Sequence, residues 1–261
     1  MKSFKLSKHK KKWIITILII FSLTLTTVVF AILNPSIFYT HKTEFGQYII
    51  YHSSELEPEF QSRLNKVDYY IKKSEYFNSN LKFKLCLNDG SFYPRLMEIL
   101  RGPAFGWGFH NIATFRGDFN FTKNEINLRG YKWNLEQLMA HELTHCLQFL
   151  KLGLFNSNPL GDHAHWKWEG YAEYISRKNV NQKPLQYYID KYNIANINNP
   201  TSWHIELDDN TIAPKSYYEY WLFVRYCLDI KVMSYDQLLE LDISTINLKD
   251  EMLNWYKNNY N

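Results

Sequence analysis

Residues 13–33 form an uncharged run rich in Ile, Leu, Val and Phe, directly after a lysine-rich tail at residues 1–12. A helix of that length rises about 30 Å, which matches the hydrocarbon core of a bilayer, and it lacks the polar face of a soluble helix. We predict a retained transmembrane signal-anchor, with the lysine tail in the cytoplasm and the rest of the chain outside. A cleaved signal peptide is the alternative, because Val29-Phe30-Ala31 resembles a cleavage site.

A short aperiodic linker at residues 34–43 leads into strand and helix patterns. Aromatic and β-branched residues predict a strand at Phe45–His52, and apolar residues three or four positions apart predict a helix at Leu56–Phe77. Strict alternation predicts another strand at Leu81–Leu87, which the turn Asn88-Asp89-Gly90 ends.

The second half of the chain carries helix start and stop signals. Asn134 and Gln137 have the spacing of a capping box, which opens a helix predicted at Leu135–Leu152, and Gly153 closes it. Further helices are predicted at Trp168–Arg177, from a Ser216–Glu219 capping box to about Leu228, and after a Ser234–Gln237 capping box.

Glycines punctuate residues 101–130, and two short strands are predicted there, at Phe109–Phe115 and Glu125–Leu128. All these patterns together predict one α+β domain over residues 44–261. It would have a small mixed sheet whose substrate-binding edge strand packs on the long helix, followed by a mainly helical C-terminal part.

Composition and charge narrow the possible functions. Six of the 30 Lys and Arg residues lie in the N-terminal tail, so the remaining 24 face 26 Asp and Glu residues. A domain so near neutrality gives no electrostatic basis for nucleic-acid binding. Three cysteines in an exported domain permit a Cys86–Cys227 disulfide that spares Cys146, or three buried free thiols.

The segment His141-Glu142-Leu143-Thr144-His145 carries the strongest chemical signal. Its histidines are four residues apart on a predicted helix, so both imidazoles lie on one face and can reach one zinc ion. Glu142 projects beside the metal rather than at it, where it can take a proton from water. Burying two histidines and a glutamate together without a metal would be costly.

A catalytic zinc site needs a third protein ligand and one open position. Glu169 is the best candidate, since a carboxylate on a second helix can pack against the first helix and Gly170 permits close approach. Glu173, one turn later, either accepts a hydrogen bond from a ligand imidazole or lies on a solvated helix face. His163 and His165, in a loop ahead of that helix, are rival ligands.

Two segments, HELTH at residues 141–145 and EGYAEY at residues 169–174, together resemble the gluzincin zinc metallopeptidases. This is the broad thermolysin-like group, and the likeness is closest to its small peptidase-MA-like domains. The resemblance covers about residues 45–235. It implies that the zinc ligands are His141, His145 and Glu169 and that Glu142 is the general base.

The family often has a tyrosine ahead of a helix segment such as Phe223-Val224-Arg225-Tyr226, and that tyrosine can stabilise the oxyanion. Tyr217 matches this position and is thereby implied as a catalytic residue, although Tyr218 and Tyr220 stand beside it. Ordinary packing is the alternative role for each of the three tyrosines.

These residues predict a membrane-anchored peptidase that cleaves peptide bonds with a zinc-activated water, which Glu142 deprotonates. The peptide or protein substrate would pair with the strand predicted at Phe109–Phe115. One alternative is an inactive, membrane-tethered domain that binds zinc or peptide, but such a domain has no use for Glu142 as a base. The other alternative is a structural zinc site closed by His163 or His165 as its fourth ligand.

Overall fold

A long apolar helix begins the part of the chain that the computed structural model describes, residues 8–179 and 181–260. This helix, α1 (Lys8–Leu33), is long and apolar enough to cross a membrane, and its apolar side chains are largely exposed. Residues 1–7 of the predicted cytoplasmic tail lie outside the described residues.

The region after α1 forms a hairpin where the sequence predicted a linker and one strand. Strand β1 (His41–Phe45) pairs antiparallel with β2 (Tyr48–His52), and Gly46 takes a positive φ in the turn between them. The linker predicted at residues 34–43 therefore ends in strand residues, and the strand predicted at Phe45–His52 is interrupted by the turn. Strand β1 escaped prediction because it is mostly exposed and has no apolar alternation.

The main sheet has five strands in the order β1-β2-β3-β5-β4. Its centre is parallel: β3 (Phe83–Cys86) lies between β2 and β5 (Ile112–Phe115). Strand β4 (Gly106–Phe109) is antiparallel to β5 and forms one edge of the sheet. The single strand predicted at Phe109–Phe115 is thus wrong, because His110, at a φ of 52°, lies in a turn that reverses the chain.

Two helices connect strands of the main sheet. Helix α2 (Glu59–Ile71) joins β2 to β3 and buries an apolar stripe on one face. It begins after Pro58 and is shorter at both ends than the predicted helix Leu56–Phe77. Helix α3 (Tyr93–Arg101) lies between β3 and β4, and it was not predicted.

A three-stranded antiparallel sheet precedes the central helix. Its strands are β6 (Asp118–Asn120), β7 (Glu125–Leu128) and β8 (Tyr131–Asn134). The prediction for β7 is confirmed residue for residue, whereas its two neighbours were missed.

The central helix α4 (Leu135–Leu152) has the predicted bounds. Asn134 accepts a hydrogen bond from the backbone N–H of Gln137, and Gly153 follows the helix at a positive φ. The predicted capping box is only half formed, because the Gln137 side-chain oxygen has no partner. Strands β4 and β5 pack against one side of α4, so it is buried along most of its length.

The C-terminal part is mainly helical, as predicted. Its helices are α5 (His165–Arg177), α6 (Leu185–Asn198), α7 (Lys215–Arg225), α8 (Tyr235–Glu240) and α9 (Thr245–Tyr260). A hairpin of β9 (His204–Glu206) and β10 (Ile212–Pro214) precedes α7. Shorter helical segments lie at Pro35–Phe38, Leu154–Asn156 and Tyr226–Ile230.

Helix-capping predictions in this part had mixed outcomes. The Ser234–Gln237 capping box is present at the start of α8. The Ser216–Glu219 box is not, because α7 begins two residues earlier than that box requires, after Pro214, which has no side-chain acceptor. Two further helices, α6 and α9, were not predicted.

All three cysteines are buried free thiols, so the predicted alternative of a Cys86–Cys227 disulfide is wrong. The two residues lie in different apolar clusters. Cys86 lies in a small cluster with Tyr93 and Met97 of α3, and Cys227 lies in the main core with Cys146.

Candidate metal centre

Helix α4 presents His141 and His145 from one face, one turn apart, as the sequence predicts. Both imidazoles are buried, and their planes are nearly perpendicular, at 86°. The two Nε2 atoms approach each other to 3.0 Å. Two ring nitrogens that converge in this way define a point at which one cation can contact both.

Glu169 on α5 completes the group, because its Oε2 lies 3.3 Å from the Nε2 atom of each histidine. Helix α5 packs directly on α4. The sequence suggested that Gly170 allows α5 to approach α4, but its close neighbour is α7. A Cβ at Gly170 would lie 2.6 Å from the backbone oxygen of Tyr220, so the glycine allows α5 to lie close to α7. The two histidines and Glu169 form a buried group that can hold a metal ion.

The donor set fits a small divalent cation. Its three atoms are separated by 3.0, 3.3 and 3.3 Å. Ligands of a tetrahedral zinc site with bonds of about 2.0 Å are about 3.3 Å apart. Each donor is also of a type that zinc accepts, since two are imidazole nitrogens and one is a carboxylate oxygen.

The charges around this group also favour a cation. Three carboxylates, those of Glu142, Glu169 and Glu173, are buried around the imidazoles. Burial lowers the pKa of His141, but the contacts with the carboxylates of Glu169 and Glu173 outweigh burial and raise the pKa to about 10. A pocket that holds a buried imidazole in its charged form has an excess of negative charge, which a bound metal ion would neutralise.

Glu173 fixes the outer nitrogen of His141. Oε1 of Glu173 lies 3.1 Å from Nδ1 of His141, in a bent contact rather than a straight hydrogen bond. Arg177 donates from Nε to Oε2 of Glu173 at 2.6 Å. Burial raises the pKa of Glu173, yet Arg177 and His141 outweigh it and bring the pKa to about 2. Glu173 is thus a buried, ionised acceptor, and the solvated-face alternative is wrong.

Gln148 contacts the outer nitrogen of His145, as Glu173 contacts that of His141, and this residue was not predicted. Oε1 of Gln148 lies 2.8 Å from Nδ1 of His145. The Gln148 amide nitrogen donates to the Trp168 backbone oxygen and to the Tyr235 hydroxyl, so the side chain is held in one orientation. An N–H on Nδ1 of His145 would donate to Oε1 of Gln148, and this tautomer would leave Nε2 of His145 available to a metal. Gln148 follows His145 by three residues on the same helix, and this spacing could have indicated that the two side chains meet.

The rival ligands His163 and His165 lie outside the buried group. His165 is the first residue of α5 rather than a loop residue, and its side chain is exposed. Its Nδ1 is 4.0 Å from Oε1 of Glu169, the oxygen that faces away from the other histidines. His163 is only half-buried and does not line the cavity described below.

Glu142 lies beside the ligand group, against the edge strand β4. A Cβ at Gly106 would be 2.9 Å from Oε1 of Glu142, and a Cβ at Gly108 would be 2.2 Å from its backbone oxygen. The two glycines therefore allow β4 to approach α4 closely. Burial raises the pKa of Glu142, and the nearby His141 and His145 oppose this shift.

His141, Glu142, His145 and Glu169 line one cavity of about 660 Å³. Tyr217 lines it too, with its ring parallel to that of His141 at a centroid distance of 6.0 Å. Tyr218 is buried away from the cavity, stacked on Tyr192, and Tyr220 packs edge-on against His165. Of the three candidate tyrosines, Tyr217 is the one that faces the site.

Aromatic and apolar residues form much of the remaining cavity wall, and two arginines lie at its margin. The wall residues include Phe105, Trp107, Leu128, Tyr131, Trp133, Leu138, Trp168 and Trp203, and the arginines are Arg101 and Arg129. A cavity of this size and lining suits an extended organic ligand with apolar side chains.

Comparisons with known proteins returned no match, either to a protein-family model or to a curated protein. What this site does must therefore be inferred from its own geometry.

Proposed function

We propose that this chain is a membrane-anchored zinc peptidase of the gluzincin type. The observation that carries the proposal is the position of Glu142. Its carboxylate lies in the cavity, beside a buried His141–His145–Glu169 group and against the edge strand β4. A purely structural metal site has no use for a carboxylate that lines an adjoining cavity, in contrast to Glu173, which orients a histidine.

His141, His145 and Glu169 would hold the metal. Zinc is the ion that best fits two imidazoles, one carboxylate and a site open to a cavity. When bound, zinc would supply Lewis-acid polarisation of a carbonyl group and would make water more acidic.

Glu142 is the general base in this proposal. Its carboxylate takes a proton from the water that attacks the scissile carbonyl carbon, and it then delivers that proton to the leaving amine. Tyr217 donates a hydrogen bond to the oxyanion that develops on the carbonyl oxygen. Burial and the neighbouring Glu169 and Glu142 raise the pKa of Tyr217, which keeps its hydroxyl protonated as a donor.

The substrate is a peptide segment that binds in extended form along β4. This strand pairs with β5 on one side and is the last strand in the sheet order on the other. A free edge offers backbone N–H and C=O groups to an extended peptide. Because Gly106 and Glu142 are in contact, a peptide on that edge would pass directly beside the base.

Helix α1 supports membrane attachment in this proposal, because it is long and apolar enough to cross a bilayer. The proposed topology places the N-terminal lysines in the cytoplasm and the cavity outside, because basic residues remain on the cytoplasmic side of a span. The enzyme would then act on extracytoplasmic peptides or proteins.

The decisive experiment uses the full chain in detergent and compares Glu142→Gln with Glu169→Ala. Zinc per chain is measured by plasma mass spectrometry, and hydrolysis is measured on denatured casein. Glu142→Gln keeps the size of the base but cannot accept a proton, so it should retain zinc and lose activity by about 10²–10⁴-fold. Glu169→Ala removes a ligand and should lose both zinc and activity.

Glu240→Gln, on helix α8 away from the cavity, is the matched control for removing one carboxylate and should match the wild type in both measurements. Wild-type protein that binds zinc stoichiometrically but cleaves nothing would favour the inactive binding domain. Zinc retained in Glu169→Ala and lost in His165→Ala would overturn the ligand assignment.

A further inference from the structure

Helix α3 has an apolar face that the protein does not cover. Phe92, Leu96 and Ile99 follow at spacings of four and three residues, which places them on one side of the helix, with Leu100 at its border. Phe92, Ile99 and Leu100 are exposed, and Ile99 is 67% exposed. Tyr93, Pro94 and Met97 are buried against the protein.

The charges on α3 match a lipid surface. Its one acidic residue, Glu98, is turned toward the protein, where it pairs with Arg116 at 3.1 Å and Arg129 at 2.6 Å. Arg95 is exposed beside the apolar face, whereas Arg101 is exposed at the C-terminal end of the helix, on the side of Met97. An exposed apolar strip bordered by an arginine is typical of helices that lie in the membrane interface, where the cation contacts anionic headgroups.

Helix α3 is also fixed to the end of the membrane span. The Tyr93 hydroxyl donates to the backbone oxygen of Ile32, near the end of α1, at 2.6 Å. The ring of Phe38 packs on Tyr93, and Ser91 donates to the Phe38 backbone oxygen at 3.0 Å. Exposed Ile37 lies in the same connection. The start of α3, where Phe92 is exposed, therefore lies beside the point at which the chain would leave the bilayer.

We infer that α3 lies in the outer membrane interface, with Phe92, Ile99 and Leu100 inserted among the lipids. Arg101 and Pro103 line the cavity that contains Glu142, so the end of this same helix forms part of the cavity wall. Arg101 is about 12 Å along the helix axis from Tyr93. The proposed peptidase would thus meet its substrates at the membrane surface. This inference rests on the proposed membrane anchoring.

The test uses the full chain with one environment-sensitive fluorophore on an introduced cysteine. The three native cysteines are buried, so an exposed new cysteine can be labelled selectively. Three variants are compared: Ile99→Cys on α3, Ile20→Cys in the span and Ile197→Cys on α6, where the isoleucine is 78% exposed. Each is reconstituted into vesicles of phosphatidylcholine and phosphatidylglycerol, with and without a lipid that carries a nitroxide quencher near the glycerol end of its acyl chain.

If α3 is inserted, the lipid-borne quencher reduces the fluorescence at positions 99 and 20 and leaves position 197 unchanged. Quenching at 20 but not at 99 would overturn the inference on α3 and leave the anchor intact. A blue-shifted but unquenched label at 99 would indicate a protein partner and would also overturn it. No quenching at position 20 would refute the anchor, and the inference would fall with it.

Discussion

Replacing Gly106 by alanine should reduce turnover while the metal stays bound. The new Cβ would lie 2.8 Å from Cγ and 2.9 Å from Oε1 of Glu142, well inside normal contact distance. These atoms belong to the end of a side chain, so the Glu142 carboxylate can yield while the backbone stays in place. A misplacement of about 1 Å in a reacting group costs about 10²-fold in rate, so we expect kcat to fall by about 10–100-fold.

Gly108→Ala is the matched comparison, because the second glycine meets backbone instead. Its Cβ would lie 2.2 Å from the Glu142 backbone oxygen and 2.7 Å from the Cβ of His145. Neither atom can rotate away, so β4 and α4 must separate. Such overpacking costs about 1–3 kcal/mol of unfolding free energy. For a domain of this size, that cost lowers the melting temperature by about 2–12 °C.

Both variants are assayed for zinc content, for hydrolysis of denatured casein and for thermal unfolding by circular dichroism, each as the full chain in detergent. Gly106→Ala should have near wild-type stability and low turnover, whereas Gly108→Ala should have a lower melting temperature than the wild type. Wild-type turnover in Gly106→Ala would show that Glu142 does not act from the position it occupies against β4. Equal melting temperatures for all three proteins would refute the close strand–helix contact itself.

Three further predictions concern the surroundings of the site. Glu173→Ala should weaken zinc binding by about 10–100-fold in a chelator competition, because His141 loses the carboxylate that orients it. Tyr217→Phe should lower kcat by about 10²-fold, the usual effect of losing one oxyanion donor, with zinc content unchanged; an unaltered kcat would make Tyr217 a packing residue. Protease added to intact cells should digest the domain that follows α1, and protection until the membrane is broken would reverse the proposed topology.

Helix-borne features were the most predictable part of the fold and of the site. Helix α4 was predicted to the residue, because its cap, its apolar content and its closing Gly153 all agree. The four-residue spacing of His141 and His145 fixes their shared face within one helix, without any knowledge of tertiary structure. Glu169 could be predicted as a partner from its chemistry, but only the packing of α5 on α4 brings its oxygen to 3.3 Å from both rings.

The missed elements are those whose signals depend on tertiary neighbours. Strand β4 contains Gly106 and Gly108, which lower strand propensity, and both are explained only by the proximity of Glu142. Helix α3 is nine residues long and has no side-chain cap, so no capping signal marks its start. Gln148 resembles any polar helix residue until its contacts with His145 and Tyr235 are seen.

Helix α5 carries two of the carboxylates that contact the paired histidines. It contributes both Glu169, whose carboxylate contacts Nε2 of His141 and of His145, and Glu173, which contacts Nδ1 of His141. A shift of α5 would therefore move both carboxylates together. Gly170 lies between them in the sequence and packs α5 closely against the backbone of Tyr220 on α7. Tyr220 is one helical turn after Tyr217. The contact of Gly170 with α7 therefore helps to set the distance from the candidate metal group (His141, His145 and Glu169) to Tyr217, the proposed oxyanion donor. That contact explains why a residue without a side chain belongs in the EGYAEY segment beside the ligand.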